Sequence, residues 1–208
     1  MSLISRGHPS RGEGFVLGLV ATGAVSVAAA AIVAVVKAVI ALFQPAVEVR
    51  MPVQEVDASA LSGLPGISAA AYDSATVTMT ELSAGARWML LLEASLPALA
   101  TVGVCAAAWW LGVSLIRARP FRRSMAWTIG VAACLVIAGG LFGQLAGAIG
   151  RAIAVDGIAA ADPRAHDVFW AFLVQLDLAP LGWGFALALV ATAFQVGERM
   201  QRDTKGLV

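Results

Sequence analysis

Four long apolar blocks, separated by polar segments, dominate the pattern of the chain. They cover about residues 15–43, 88–116, 124–150 and 178–197. A helix that crosses the hydrocarbon core of a bilayer needs about 20 apolar residues, because each residue adds about 1.5 Å. Each block reaches or nearly reaches that length, so the pattern predicts an all-α membrane protein with four transmembrane helices.

The bounds of the fourth block depend on three residues that interrupt it, Gln175, Asp177 and Pro180. One interpretation is a single helix over 168–196 with a buried acid. The other starts the helix near Leu178, with Asp177 as its N-cap and Pro180 in its first turn. The second is favoured, because the remaining run still almost spans the bilayer, and it makes 167–176 a strand outside the membrane.

Composition agrees with a location in lipid. Of the 208 residues, 60% are hydrophobic and 13% are charged, whereas soluble domains carry about 25% charged residues. The mean hydropathy is +0.84. The net charge of +1 indicates no direct nucleic-acid partner, and the spacing of the two cysteines and two histidines predicts neither a disulfide framework nor a metal site.

The first block could belong to a signal peptide, because Arg6 and Arg11 precede it. The apolar region of a signal peptide is about 7–15 residues long, and this block is roughly twice that length. We therefore predict an uncleaved signal-anchor helix, with cleavage near 28–31 as the alternative.

The basic residues predict the orientation. With four crossings, the N-terminus, the turn 117–123 and the tail 198–208 lie on one side, and the loops 44–87 and 151–177 lie on the other. The first group holds nine basic residues, Arg6, Arg11, Arg117, Arg119, Arg122, Arg123, Arg199, Arg202 and Lys205. The second group holds four, Arg50, Arg87, Arg151 and Arg164. The positive-inside rule then predicts a multi-pass protein of the cell membrane with both termini in the cytoplasm.

The loops on the outer side predict a small β-containing cap. Residues 47–53 and 75–82 alternate or are rich in β-formers, with a Gly/Pro-rich connector at 61–68 between them. A two-stranded ribbon alone is marginal in water. We therefore expect 168–176 to add a third strand.

Polar residues within the blocks suggest a ligand site. Lys37, Glu93 and Gln144 each lie about 8–9 Å from the outer end of their helix at the rise of an α-helix, and Asp177 is near this level. The functional hypothesis is a polar pocket in which Lys37 pairs with Glu93, with Asp177 as a further partner, and which binds a small ligand, an ion or a proton. The alternative is that Lys37 and Glu93 snorkel to the interface or form one structural ion pair.

Small residues recur at four-residue spacing in the third block, at Gly139, Gly143 and Gly147. Such a row permits close contact between helices. Packing within one chain is the favoured interpretation, and a homo-oligomer is the alternative.

The chain carries no motif that specifies a reaction. It contains no phosphate-binding loop, no HExxH zinc motif and no GxSxG nucleophile elbow. We therefore predict a non-enzymatic protein without a cofactor.

Two segments resemble a bacterial family of membrane proteins of unknown function, numbered 2975. Residues 118–139 (ARPFRRSMAWTIGVAACLVIAG) are similar to the turn that enters its third helix, although Ala118 and Arg119 replace the glycine-led start. Residues 176–208 are similar to its last helix and tail, where the pattern positions are Phe194, Gly197, Met200 and Asp203. Met200 replaces the usual leucine.

The resemblance implies four membrane helices, an extracytoplasmic segment between the first two, and a small cytoplasmic helix-turn-helix regulator as partner. It carries over no catalytic residue. The leading prediction is a regulatory or sensory membrane protein whose cytoplasmic segments contact that regulator, through Arg117, Arg119, Arg122, Arg123, Arg199, Arg202 and Asp203. The alternatives are a small transporter or channel-like protein that uses the polar layer, and an accessory subunit of a larger membrane complex.

Overall fold

The computed structural model of the protein describes residues 11–58, 70–116 and 123–205. In these ranges it has four long helices, a short helix and two strands. The helices are α1 (Arg11–Phe43), α2 (Ala84–Ile116), α3 (Arg123–Ala159), α4 (Ala165–Val168) and α5 (Ala179–Lys205). Helices α1, α2, α3 and α5 are long and apolar enough to cross a membrane. The prediction of a mostly helical protein with four such helices is therefore confirmed.

The last long helix begins close to the position that the favoured interpretation gave, although its N-cap position falls on Leu178 and not on Asp177. Helix α5 starts at Ala179 rather than at Val168, and Pro180 lies in its first turn. A proline is tolerated there because the first N–H groups of a helix have no partner within the helix. The helix then continues past the predicted end at 197 to Lys205.

Helix α3 is longer than the hydropathy pattern predicts. The apolar block ends at Gly150, but the helix continues through Arg151 to Ala159. The apolar pattern predicts a loop over this stretch, because the apolar block ends at Gly150 and the basic Arg151 follows it.

The chain divides into two compact units. Unit one comprises Met1–Val33, Pro97–Gly140 and Leu178–Val208, and unit two comprises Ala34–Leu96 and Leu141–Asp177. Helices α1, α2 and α3 each contribute residues to both units.

Glycines allow close helix contacts in unit one. A Cβ at Gly140 of α3 would collide with the ring of Pro180 in α5, and a Cβ at Gly184 of α5 would collide with Ile137 of α3. Small residues let helices approach closely, which favours packing where lipid gives no hydrophobic drive between helices. These two glycines lie outside the predicted row of Gly139, Gly143 and Gly147, of which Gly147 approaches Glu93 of α2 closely.

Unit two contains the sheet. Strand β1 (Val47–Asp57) pairs antiparallel with β2 (Ala71–Met79), and the register is irregular between Pro52 and Val56. The prediction of a third strand over 168–176 is wrong, because the sheet consists of β1 and β2 among the described residues. Phe169 forms an isolated bridge with Val53, and the Trp170 amide donates to the Pro52 carbonyl at 3.3 Å. Because the register of β1 is irregular at this point and α4 ends at Val168, a regular ladder does not continue.

The core of unit two explains why α3 is long. Alternate residues of a strand point to one face, and Val49 and Met51 of β1 are buried together with Ala154 and Val155 of α3. Met51 is fully buried, which contributes about 1.5–3 kcal/mol relative to an exposed side chain. The sheet therefore stabilises the part of α3 that extends past Gly150.

Candidate binding cavity

A cavity of about 530 Å³ lies in unit two, where the sheet meets residues of α1, α2 and α3. Its size is within the range of small-molecule pockets, about 300–1,000 Å³. Its apolar lining consists of Ala38, Ala41, Leu42, Val47, Val49, Pro52, Leu90, Leu91 and Ala94. Its polar lining consists of Glu48, Arg50, Asp73, Ser74, Arg87, Glu93, Gln144, Arg151 and Gln175.

An ion pair between two helices forms one wall of the cavity. Arg151 of α3 donates through Nη1 to Oε1 of Glu93 in α2, at 2.7 Å. The side chains are 18% and 34% exposed respectively, so both groups are partly desolvated and can still be reached by a solute. A partly buried pair of this kind interacts more strongly than one at a fully exposed surface.

Gly147 creates the space for this pair. A Cβ at this position would collide with the carboxylate of Glu93. Gly147 and Arg151 are four residues apart on α3 and therefore lie on the same helix face. The missing side chain one turn before Arg151 thus leaves room for the Glu93 carboxylate beside the guanidinium.

Arg87 joins the end of α1 to the start of α2. Its Nε donates to the Leu82 carbonyl at 3.1 Å, and its Nη1 donates to the carbonyls of Leu42 and Gln44 at 2.9 and 2.7 Å. The last carbonyls of a helix have no partner within the helix, and a cation is favoured at the negative end of its dipole. Arg87 therefore stabilises the C-terminal end of α1, which ends at Phe43.

A second acid–base group lies on the sheet. Arg50 of β1 donates through Nε and Nη2 to the Ser74 hydroxyl of β2, at 3.0 and 2.8 Å. That hydroxyl donates in turn to Oδ1 of Asp73, at 3.1 Å. Ser74 therefore links the guanidinium to the carboxylate on this exposed wall of the cavity.

Gln144 holds the chain that leads to α5. Its Nε2 donates to the carbonyl of Asp177 at 3.0 Å, and its Oε1 accepts from the amide of Asp177 at 2.8 Å. A side-chain amide that pairs with both backbone groups of one residue fixes its position at two points. Gln175, two residues earlier, also lines the cavity.

The structure brings together some of the predicted site residues and corrects one pairing. Glu93 and Gln144 both line the cavity, and Gln144 contacts Asp177. The partner of Glu93 is Arg151, not Lys37, which is exposed on α1. Arg151 is not among the predicted site residues, because the apolar pattern places it in a loop, although its four-residue spacing from Gly147 is visible in the sequence.

The predicted cytoplasmic contact residues are only partly described. Arg117, Arg119 and Arg122 lie outside the described residues, as do the side chains of Arg123, Arg202 and Asp203. Arg199 is exposed on α5.

The chemistry of the cavity is ionic and hydrogen-bonding. Within residues 11–58, 70–116 and 123–205, no three His, Cys, Asp or Glu side chains group as metal ligands would. The cavity offers guanidinium groups, carboxylates, a hydroxyl and amides instead, which recognise a polar solute.

Comparison with known proteins gives no match to the chain, either among protein-family models, among curated proteins or among solved structures. The function is therefore inferred from the geometry of the cavity and from the pattern of the chain.

Proposed function

We propose that this protein is a non-enzymatic sensory membrane protein that binds a small polar ligand in the cavity of unit two. The observation that carries the proposal is a cavity of about 530 Å³ with charged groups of both signs on its walls. Pockets of this size with a few placed polar groups on apolar walls are typical of small-molecule sites.

The orientation proposed from the basic residues gives the cavity access to the outside of the cell. The strands and helix ends that line it belong to, or border, the segments with four basic residues, and the cytoplasmic segments hold nine. Both termini and the turn 117–123 then face the cytoplasm, where a helix-turn-helix regulator is the proposed partner. Membership in family 2975 is part of the same proposal.

A ligand can affect the helices through the Glu93–Arg151 pair. These residues belong to α2 and α3, and a ligand that binds either group competes with the pair. A ligand shifts a conformational equilibrium only as far as it binds one state more tightly than the other. A ligand that competes for this pair binds the state in which the pair is broken more tightly than the state in which it is formed.

The experiment uses a variant that fills the cavity and leaves its charged side chains unchanged. Ala94 lines the cavity and is exposed, so Ala94→Phe fills the space with an aromatic ring. Ala106→Phe on the exposed face of the same helix is the matched control. Each protein is purified from native membranes, and the retained small molecules are identified by mass spectrometry.

We expect the wild type and Ala106→Phe to retain the same polar compound and Ala94→Phe to lose it. Equal retention by all three proteins, or retention by none, would refute ligand binding in this cavity.

Deletion of 201–208 tests the proposed cytoplasmic partner. The deletion should abolish co-purification of a regulator while the helices stay folded.

A small transporter is the second candidate, because Glu93 and Arg151 lie in helices long enough to span a membrane. Glu93→Gln separates the two functions. In liposomes a transporter loses ligand-dependent or pH-dependent flux with this variant, whereas a sensor shows no flux with either protein.

A further inference from the structure

The charged groups that line the cavity balance one another. Three of them are the guanidinium groups of Arg50, Arg87 and Arg151, and three are the carboxylates of Glu48, Asp73 and Glu93. A ligand with a net charge leaves that charge without a counter-ion in a partly enclosed space, which costs free energy. The lining therefore favours a ligand whose own charges sum to zero.

Each wall holds an acid and a base side by side. On the helical wall, Arg151 uses one N–H of Nη1 for Glu93, and Oε1 is the atom of Glu93 that accepts it. An arginine has five N–H donors and a carboxylate has two oxygens, so both groups keep the capacity for a ligand. On the sheet wall, Asp73 and Arg50 are bridged by Ser74.

These two walls favour a ligand with an ammonium group and an anionic group in one molecule. An ammonium group donates to carboxylates, and a carboxylate or phosphate accepts from guanidinium groups in charge-assisted hydrogen bonds. A ligand with only one of these groups satisfies one member of each acid–base group and leaves the other without a partner.

The apolar part of the lining is aliphatic. Leu42, Leu90 and Leu91 provide the larger apolar surfaces, and alanines provide the smaller ones. An apolar frame between the charged groups of the ligand therefore gains free energy by burial.

We infer that the ligand is a zwitterion on an aliphatic frame, such as an apolar amino acid, a short apolar peptide or the phosphoethanolamine headgroup of a lipid. This inference rests on the proposed function, that the cavity binds a ligand. It adds the chemical class of that ligand and the groups that recognise each of its charges.

The experiment compares three probes that differ in one charge. They are L-leucyl-L-leucine, its N-acetyl derivative, which lacks the ammonium group, and its C-terminal amide, which lacks the carboxylate. Binding to the full-length protein in maltoside detergent is measured by calorimetry. Because hydrogen bonds to charged groups contribute strongly, we expect the dipeptide to bind about tenfold or more tightly than either derivative.

Two lipids identify the source of the zwitterion. Lysophosphatidylethanolamine carries the ammonium group and lysophosphatidylglycerol does not. Tighter binding of the first lipid than of the dipeptide assigns the site to a lipid headgroup, and the reverse assigns it to a free solute. Either order supports the inference, provided that two conditions hold. The dipeptide must bind more tightly than its two derivatives, and lysophosphatidylethanolamine must bind more tightly than lysophosphatidylglycerol.

Variants at exposed positions of the sheet test which side chain recognises which charge of the ligand. With Asp73→Asn, the preference for the dipeptide over its N-acetyl derivative should fall severalfold. With Arg50→Gln, the preference for the dipeptide over its amide should fall instead. Glu81→Gln removes an exposed carboxylate that does not line the cavity, and it should change neither preference.

Three results overturn the inference. Equal binding of the dipeptide and its N-acetyl derivative shows an anion site, and equal binding of the dipeptide and its amide shows a cation site. In both cases the proposed function survives, because the cavity still binds a ligand. Absence of binding by every probe also rejects the zwitterion. The retention experiment with Ala94→Phe then decides independently whether the cavity binds any ligand.

Discussion

At the scale of single residues, the ion pair between Glu93 and Arg151 depends on a position without a side chain. Gly147 is buried, and the Glu93 carboxylate occupies the space that a Cβ would take. Gly157, on the same helix, is exposed and would have no atom within 4 Å of an added Cβ. These two glycines of α3 therefore have different surroundings.

Gly147→Ala should displace the Glu93 carboxylate from Arg151 and lower the free energy of unfolding by about 1–3 kcal/mol, because a partly buried charged hydrogen bond is lost. Gly157→Ala is the matched control. Alanine is the better helix former by about 0.8–1 kcal/mol, so the control should keep or raise stability. Thermal unfolding in detergent measures both. An equal effect of the two substitutions would contradict the role of Gly147.

At the scale of the elements, hydrogen bonds from two side chains secure the ends of long helices. Arg87, in the first turns of α2, donates to the carbonyls at the end of α1. Gln144, in the middle of α3, holds the residue two positions before α5. Each side chain connects parts of the chain that are distant in sequence.

Arg87→Gln should lower the free energy of unfolding by about 1–3 kcal/mol, because three carbonyls lose a charged donor. Arg87→Lys should recover only part of this loss, since an ammonium group cannot reproduce the planar fork of a guanidinium. Arg164→Gln removes an arginine that pairs with Asp162 at an exposed surface, and it is the control. Because an exposed ion pair contributes little, this variant should change stability much less than Arg87→Gln. Full recovery by lysine would show that charge alone matters at this position.

Gln144→Leu should destabilise the protein by about 1 kcal/mol, because two hydrogen bonds to exposed backbone groups are lost and water replaces them only in part. Hydrogen exchange at the Asp177 amide should also become faster. Gln195→Leu on the exposed face of α5 is the control. Unchanged exchange at Asp177 with Gln144→Leu would exclude the two-point contact.

At the scale of the whole molecule, the proposed orientation assigns the sheet and the tail to opposite sides of the membrane. Single cysteines test it in a background in which Cys105 and Cys134 are replaced by alanine. Asp73→Cys places the thiol on β2, and Arg199→Cys places it on α5, both at exposed positions.

In intact cells, a membrane-impermeant maleimide should label the cysteine at 73 and not the cysteine at 199. Both should react after the cells are permeabilised, which serves as the control. Labelling of the cysteine at 199 alone in intact cells would reverse the orientation and place the cavity on the cytoplasmic side.

The sequence by itself determined the number and the type of the long helices. Runs of apolar residues with few charges are a local property, and a helix satisfies its own backbone hydrogen bonds in lipid, so no knowledge of tertiary contacts was needed. The start of α5 was equally local, because proline is favoured in the first turn of a helix and Pro180 lies there. Glu93 and Gln144 also stood out locally, as polar residues in apolar blocks.

Only the tertiary structure decided the length of α3, the partner of Glu93 and the existence of the cavity. Hydropathy ended α3 at Gly150, but the packing of Val155 against the sheet extends it. That extension places Arg151 on the face that carries Gly147 and beside Glu93. The sequence gives the depth of a residue along its own helix, but not the direction in which it faces a neighbouring helix. Depth alone therefore predicted Lys37 as the partner of Glu93, whereas the packing of the helices places Arg151 beside it.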